Sequence, residues 1–401
     1  MNLSPTTERA EVLDVLRGIA IFGMFSVNMT ADIWWSDIYE SLQPGSADFF
    51  ALVMVNLFAS GKFITIFSFL FGVGFCIQSE RRIKMGNSVA PFWVRRLSGL
   101  LIIGLIATAC TLPVRILIDY AVFGLALLLF YRLPPRVILA AAIGTFVIVE
   151  SIDLLIPTYW PSITGVPLNS PTPDTIHDLV DATLPTGSFA EIALVELRHT
   201  WVEFTSLQYY LGDLDILGLM LLGLCVGRIG AIWDRTVQIS LAKRYVWWLL
   251  GIGFACGALG MAMSQFGLGD DNSIHYSVVS GLLTWPLGMP VLGLGYAATV
   301  VLLMDKEKWR TRLRPFAPIG RMALTNYLFT GFVAAFISFQ WGLGLYGKVF
   351  PAAGLIIVAG LLPIQMIASR MWMKRFAFGP FEWLWRFWTH GKAPPMRIST
   401  D

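Results

Sequence analysis

Apolar residues gather into ten long stretches along this 401-residue chain, and short charged or proline-rich segments separate them. A helix of about 20 apolar residues crosses a hydrocarbon layer of ~30 Å, and a helix satisfies its own backbone hydrogen bonds inside that layer. The pattern therefore predicts an all-α integral membrane protein with about ten transmembrane helices in one bundle. The predicted spans are residues 12–30, 49–78, 95–112, 115–131, 136–155, 208–228, 246–267, 278–303, 321–341 and 349–371.

The second stretch is too long for one straight span. Its 30 residues would form a helix of ~45 Å, and the sequence "ASGKF" (59–63) lies near its middle. We therefore expect the helix to break or tilt strongly at Gly61.

The segment 157–207 is predicted to lie outside the membrane. It begins with a proline-rich run and continues as "SFAEIALVELRHTWVEF" from Ser188, which forms a capping box with Glu191. Apolar residues then recur at helical spacing, so the pattern predicts an amphipathic helix on the outer surface that acts as a lid. The recurring residues are Ala193, Leu197, Trp201 and Phe204.

Composition and charge agree with this architecture. Hydrophobic residues make up 56% of the chain and charged residues 14%. With the N-terminus in the cytoplasm, 23 of the 29 Lys and Arg fall in cytoplasmic segments and three in outer ones. The sequence therefore predicts a single polytopic membrane domain over residues 1–401. Both termini, including a tail at 372–401, are expected in the cytoplasm.

The distribution of Lys and Arg also predicts which molecules the protein contacts. Because the basic residues follow the topology, they predict contact with the lipid bilayer and no binding of nucleic acid. The four cysteines all fall inside predicted helices, so neither a disulfide framework nor a metal site is expected.

Arg17 and Asn28 are polar residues inside the first predicted span. Eleven residues at 100° each return to within ~20° of the same direction, so both side chains share one helix face, ~16 Å apart along the axis. That face is suited to lining an internal site. Alternatively, Arg17 pairs with Asp14 or extends to the cytoplasmic interface.

Lys62 and His199 are two further candidate site residues. Lys62 follows the expected break and either meets an anionic substrate group or pairs with Asp119 or Glu150. His199 lies between Glu196 and Glu203 at helical spacing, which favours a base at the outer face or a solvated polar face.

Cytoplasmic arginines are the candidates for holding a phosphate-bearing cofactor. They serve either to bind the phosphates of a nucleotide-bearing donor or only as topology signals. These residues are Arg95, Arg96, Arg312, Arg314 and Arg321.

Four stretches, in order along most of the chain, resemble the YeiB family of bacterial inner-membrane proteins, a domain of unknown function. They are "LDVLRGIAIFGMFSVN" (13–28), "GKFITIFSFLFGVGF" (61–75), "GRMALTNYLF" (320–329) and "FGPFEWLWRFWTHGKAPPMR" (378–397). That family is similar to the transmembrane acyltransferases, which take an acyl group from cytosolic acyl-CoA and deliver it to an acceptor across the membrane.

This resemblance implies roles for several residues. In bacterial O-acetyltransferases, an arginine in the first helix is followed eleven residues later by an essential histidine. Arg17 matches the arginine, whereas Asn28 occupies the place of the histidine, and an amide cannot accept a proton as an imidazole does. Residues 31–48, where the heparan-type enzymes carry a histidine, contain none. A base would then come from His199, His275, Asp213 or Asp215.

Two functions remain open at this point. The first is transfer of an acyl group from acyl-CoA to an extracytoplasmic sugar, lipid or secreted metabolite, with Arg17 orienting the donor. The second is a carrier or accessory protein in which Arg17 and Lys62 bind an anionic small molecule.

Overall fold

A computed structural model describes residues 5–32, 42–43, 45–112, 115–164, 175–205, 207–230, 234–266 and 279–398. Helices account for the regular structure in these ranges, apart from one isolated antiparallel bridge between Phe376 and Arg397. The α-helices are α1 (Pro5–Val27), α2 (Ala47–Phe58), α3 (Lys62–Lys84), α4 (Ala90–Ala109), α5 (Ile116–Phe130), α6 (Pro135–Thr164), α7 (Thr175–Thr183), α8 (Phe189–Thr205), α9 (Leu207–Gly212), α10 (Leu214–Arg228), α11 (Arg235–Phe266), α12 (Met289–Met304), α13 (Glu307–Leu313), α14 (Ala317–Arg321), α15 (Ala323–Ser338), α16 (Pro351–Met373) and α17 (Pro380–His390).

Six helical segments among the described residues are long and apolar enough to cross a membrane, so the predicted number of about ten is not confirmed. Of the other four predicted spans, two fall on the shorter apolar helices α5 and α15, and two fall on α6 and α10. A helix of 15 residues extends only ~22 Å, which is less than the ~30 Å hydrocarbon layer. The six segments are Glu11–Thr30, Ala47–Lys84, Ala90–Ala109, Arg235–Met263, Val279–Met304 and Pro351–Met373.

The predicted break at Gly61 is confirmed. Gly61 has a φ of 75°, a left-handed conformation that glycine adopts without steric cost, and α3 begins at the next residue. The buried ammonium group of Lys62 donates a hydrogen bond to the backbone carbonyl of Asn56 at 2.7 Å, near the end of α2. Lys62 therefore ties together the two helices on either side of the break.

Glycines let α1 and α14 cross at very short range. A Cβ atom at Gly320 would overlap the carbonyl oxygen of Asp14, and a Cβ atom at Gly18 would overlap that of Phe316. Such small residues allow membrane helices to pack backbone against backbone. This crossing holds Arg17 of α1 close to Arg321 of α14.

The segment predicted as a cytoplasmic tail contains a folded unit, residues 374–398, which we call the C-terminal flap. Its two ends pair in antiparallel fashion, since the Ala377 amide donates to the Met396 carbonyl at 2.8 Å and the Ile398 amide to the Arg375 carbonyl at 3.1 Å. Between these ends, α17 packs against α4 and α15. The flap thereby covers the N-terminal parts of α4 and α15.

Candidate active site

A cavity of about 280 Å³ lies among α1, α3, α4, α5, α14, α15 and the flap. Its wall has a charged end and an apolar end. The charged and amide-bearing lining residues are Arg17, Gln78, Arg96, Arg321, Glu382 and Arg386, and the largest apolar and aromatic ones are Phe67, Phe71, Trp93, Leu100, Tyr120, Tyr327 and Trp385.

Four arginines surround the charged end of the cavity. Arg17 donates a hydrogen bond to Asp14 at 3.1 Å. The Arg96 guanidinium lies 3.7 Å from the ring centroid of Trp385, and its buried Nε has no hydrogen-bond partner in the described part of the chain. Arg321 and Arg386 line the same end and are exposed. The four positive charges and the unused N–H group of Arg96 favour an anionic ligand here.

Glu382 of the flap, the one carboxylate among the described residues that line the cavity, is already engaged by α15. It accepts hydrogen bonds from the backbone amides of Leu324 at 2.6 Å and Thr325 at 3.0 Å, and from the Thr325 hydroxyl at 2.6 Å. It therefore caps the N-terminus of α15 from another element. Burial raises the pKa of Glu382, although these hydrogen bonds act in the opposite direction.

The apolar end extends toward the first turn of α5. Along α3 the lining runs from Gln78 to Phe67, a rise of ~16 Å for eleven helical residues. Ile116 and Leu117, in the first turn of α5, line this end. The Tyr120 hydroxyl lies one turn further along α5 and is 2.8 Å from the Ser68 hydroxyl.

A second polar cluster lies next to that end, since its member Arg115 directly precedes the lining residue Ile116. Arg115, which immediately precedes α5, forms an ion pair with Glu203 of α8, and His199 Nε2 lies 3.2 Å from Glu203 Oε1. Burial raises the pKa of Glu203, but the hydrogen bond from His199 and the charge of Arg115 outweigh it, so the pKa lies below its usual value. Burial raises the pKa of Glu196, the second carboxylate of this cluster.

The predicted helix with its Ser188–Glu191 capping box is confirmed, since the Ser188 amide donates to Glu191 at 2.8 Å and α8 begins at Phe189. The alternative of a solvated polar face is wrong. The His199 and Glu203 side chains are each only 14% exposed, whereas Trp201 on the opposite face is 66% exposed. The polar stripe therefore faces the bundle.

Comparison with known proteins adds to this geometry. Residues 226–392 match the family described as "Protein of unknown function (DUF418)", and residues 9–174 match the catalytic region of heparan-α-glucosaminide N-acetyltransferase. The uncharacterized protein YxaH of Bacillus subtilis is 33% identical over all of this chain and 99% of its own length. The uncharacterized protein YeiB of Escherichia coli is 25% identical over 98% of this chain and 100% of its own length.

The chain belongs to the YeiB-like family. A further relative, an uncharacterized 39.9 kDa protein of Bacillus acidopullulyticus, is 26% identical over 98% of this chain and 97% of its own length. No solved structure matches the chain.

In this YeiB-like chain, the cavity draws on both matched regions. Arg17, Arg96 and Tyr120 come from the acyltransferase-like region, whereas Arg321 and Arg386 come from the region of unknown function. Neither region alone supplies the whole wall.

The structure brings together three of the predicted site residues, Arg17, Arg96 and Arg321. The other predicted arginines lie outside the cavity lining. Arg95 contacts the Trp388 carbonyl at 3.5 Å, Arg312 lies 5.1 Å from the Trp309 ring, and Arg314 pairs with Glu11 at 3.3 Å.

The remaining predicted residues that the structure describes are also outside the cavity lining. Asn28 begins the π-helical turn Asn28–Asp32 that extends α1. Lys62 donates its hydrogen bond to the backbone carbonyl of Asn56. Asp213 directly precedes α10, and Asp215 accepts a hydrogen bond from the Ile216 amide at 2.7 Å. His275 lies outside the described residues.

Sequence reasoning missed the flap's contribution to the site. Glu382, Trp385, Arg386 and Thr389 recur at i, i+3, i+4 and i+7, the spacing of one helix face. The first three line the cavity and Thr389 is buried. Helical periodicity in "FEWLWRFWT" would have grouped these residues.

Proposed function

We propose that this protein transfers an acyl group from cytosolic acyl-CoA to an extracytoplasmic hydroxyl or amine on a sugar, lipid or secreted metabolite. The observation that carries the proposal is a single cavity with an arginine-rich end and an apolar end, formed jointly by an acyltransferase-like region and the flap. We place the protein in a bacterial inner membrane, with both termini in the cytoplasm.

The arginines would bind the anionic part of the donor. Arginine presents a planar fork of N–H donors that matches phosphate oxygens, and Arg96 has an unused Nε–H within this cluster. Arg17 and Arg321 come from neighbouring helices, so they would contact the same phosphate group of the donor from two sides. The negative charge of a donor that carries several phosphates matches the positive charge of four arginines.

The apolar end would hold the acyl group and part of the pantetheine arm. Pockets that enclose a whole drug-sized ligand have volumes of roughly 300–1,000 Å³, so a cavity of about 280 Å³ accommodates the arm but not the nucleotide. The nucleotide therefore stays at the arginine-rich end, and the thioester reaches toward α5.

His199 is the base that this arrangement supports best. Glu203 contacts the imidazole and Arg115 neutralises Glu203, as in sites where a carboxylate orients a catalytic histidine. His199 would take the proton of the acceptor while the acceptor attacks the thioester carbon. The C–S bond then breaks, and the thiolate of CoA receives that proton. Asn28 can position the acceptor but cannot act as the base.

One observation favours the second candidate, a carrier for an anionic small molecule. No histidine is found among the residues that line the cavity in the described part of the chain. A carrier would use the same arginines and would break no bond.

Thermal unfolding of the purified protein in detergent tests the first proposal. We expect acyl-CoA to raise the Tm of the wild type and to have much less effect on Arg17→Ala. Arg312→Ala is the matched control, because Arg312 is exposed and lies outside the cavity. Absence of stabilisation by a range of acyl-CoAs would refute donor binding.

A labelled-acyl assay then separates an enzyme from a carrier. We expect transfer to an envelope acceptor by the wild type and a loss of about 10²–10⁴-fold in His199→Ala, the usual contribution of a general base. If acyl-CoA binds but His199→Ala transfers at the wild-type rate, another group is the base.

A further inference from the structure

We infer that the Tyr120 hydroxyl donates a hydrogen bond to the thioester carbonyl oxygen of the donor. This inference rests on the proposed function and names a catalytic residue that neither the predicted site nor the family matches assign.

The surroundings of Tyr120 fix its ring in the cavity wall. Tyr120 is 4% exposed, and its ring centroid lies 5.4 Å from that of Phe71 and 6.4 Å from that of Phe67. All three residues line the cavity. The hydroxyl is therefore a polar group held in an apolar environment, where a hydrogen bond is stronger than in water.

Tyr120 and Ser68 together have one O–H group more than their mutual hydrogen bond uses. Tyr120 and Ser68 each carry one O–H, and they share one contact of 2.8 Å. No other hydrogen bond is found for either hydroxyl among the described residues. When Ser68 donates to Tyr120, the spare O–H belongs to Tyr120, which is the member of the pair that lines the cavity.

The position of Tyr120 matches the expected position of the reacting carbon. Five helical residues, a rise of ~7.5 Å, separate it from Arg115, which holds Glu203 beside His199. Ile116 and Leu117, which line the apolar end where the acyl group would sit, lie between Tyr120 and Arg115 along α5. Tyr120 thus lies between the arginine-rich end, which would hold the nucleotide, and the proposed base.

The role of Tyr120 follows from charge development in the reaction. As the acceptor oxygen or nitrogen bonds to the thioester carbon, the carbonyl electron pair moves to the carbonyl oxygen. The Tyr120 O–H stabilises this oxyanion without giving up its proton. Collapse re-forms the carbonyl and expels the CoA thiolate. A fixed donor of this kind contributes most in the transition state.

Isotope-edited infrared spectroscopy tests the hydrogen bond without any acceptor. The probe is acetyl-CoA with a ¹³C-labelled thioester carbonyl, bound to the purified protein. We expect the carbonyl band of the bound probe to lie at lower frequency in the wild type than in Tyr120→Phe, while affinity changes by less than about tenfold. Ser68→Ala is expected to broaden the band, because the Tyr120 hydroxyl loses the group that orients it.

Two tyrosine variants make the result specific. Tyr131→Phe makes the same chemical change at the end of α5, outside the cavity lining, and is expected to leave the band in place. Tyr327→Phe changes the other tyrosine that lines the cavity. A shift that persists in Tyr120→Phe but disappears in Tyr327→Phe overturns the inference.

The transfer assay gives a second readout. Removal of one oxyanion donor typically lowers kcat by about 10²–10³-fold, and we expect a loss of that size in Tyr120→Phe with little change in KM for acyl-CoA. A wild type that binds no acyl-CoA refutes the proposed function itself. A wild type that binds and transfers, with unchanged kcat in Tyr120→Phe, refutes only the role of Tyr120.

Discussion

Glu382 joins two roles in one side chain, because it caps α15 and also anchors the flap. Three donors from Leu324 and Thr325 converge on its carboxylate, and the carboxylate lies in the cavity wall beside Arg386. Its burial has a measurable cost for the charged form, which appears in the pH dependence of stability.

Glu382→Gln should change that pH dependence. The pKa of Glu382 is raised above its ordinary value of 4.5, so the folded protein holds this proton more tightly than the unfolded chain. The resulting stability is complete below pH 4.5 and is lost as the pH rises through the higher pKa of the folded protein. We therefore expect the Tm of the wild type, minus that of Glu382→Gln, to fall as the pH is raised from 4.5. A difference that increases with pH would contradict this assignment.

Individual site residues were only partly predictable. Arg17 was identified because a charge inside an apolar helix is costly and conspicuous. Arg386 and Glu382 were not identified, because they lie in a segment predicted to be a cytoplasmic tail, where charged residues are expected. Tyr120 gives no signal in the sequence, since an aromatic residue in an apolar helix is expected to pack against its neighbours.

At the scale of elements, α8 shows why a helix can be predicted while its orientation is not. Its capping box and period were visible in the sequence, and both are confirmed. The sequence does not show which face meets the bundle, because a helix that borders lipid exposes apolar residues and turns polar ones inward. Arg115, the partner that holds the polar face inward, lies 88 residues away from Glu203.

The crossing of α1 and α14 gives an element-scale prediction. Gly320→Ala should lower the stability by about 1–3 kcal/mol, because the new methyl group meets the Asp14 carbonyl and the helices must separate. Gly144→Ala is the matched control: it lies within α6, has nothing within 4 Å of an added Cβ, and should be neutral or stabilise by up to about 1 kcal/mol. Thermal unfolding in detergent measures both variants. Equal effects of the two substitutions would show that the crossing tolerates a methyl group.

The flap gives a second element-scale prediction. The Trp385 indole donates to the Arg96 carbonyl at 2.6 Å and stacks under the Arg96 guanidinium. Trp385→Phe removes the hydrogen bond and weakens the stacking, so we expect amide hydrogen exchange in α17 to accelerate by about tenfold. Trp248→Phe, on α11 and 68% exposed, serves as the control. Unchanged protection of α17 in Trp385→Phe would mean that the other contacts suffice to hold the flap.

At the scale of the whole molecule, ion pairs connect helix ends that are distant in sequence. Glu80 at the end of α3 pairs with Arg228 at the end of α10, at 2.8 Å. Glu11 in α1 pairs with Arg310 in α13, at 2.7 Å. These residues all fall in or beside segments that the distribution of Lys and Arg assigns to the cytoplasm. The ion pairs and the charge distribution therefore place the same helix ends on one side of the membrane. The number of crossings stays a prediction, because length and hydropathy support only six.

Cysteine labelling in intact cells tests this orientation. In a variant whose four native cysteines are replaced, a cysteine at the exposed position Thr186 should react with a membrane-impermeant maleimide from outside. A cysteine at Lys308 should react only after the membrane is permeabilised. Thr186 lies in the turn before α8, Lys308 lies in α13, and both are exposed. The reverse labelling pattern would invert the proposed topology.

The flap also has a consequence for biosynthesis. Every other element of the cavity wall precedes it in the chain, so α1 to α16 are synthesised before α17 exists. Until then the N-terminus of α15 lacks the Glu382 cap, and the flap does not cover the arginines of the nascent bundle. A chain that ends shortly before residue 374 would therefore contain every bundle helix but an unfinished cavity, and addition of the flap would be the step that completes it.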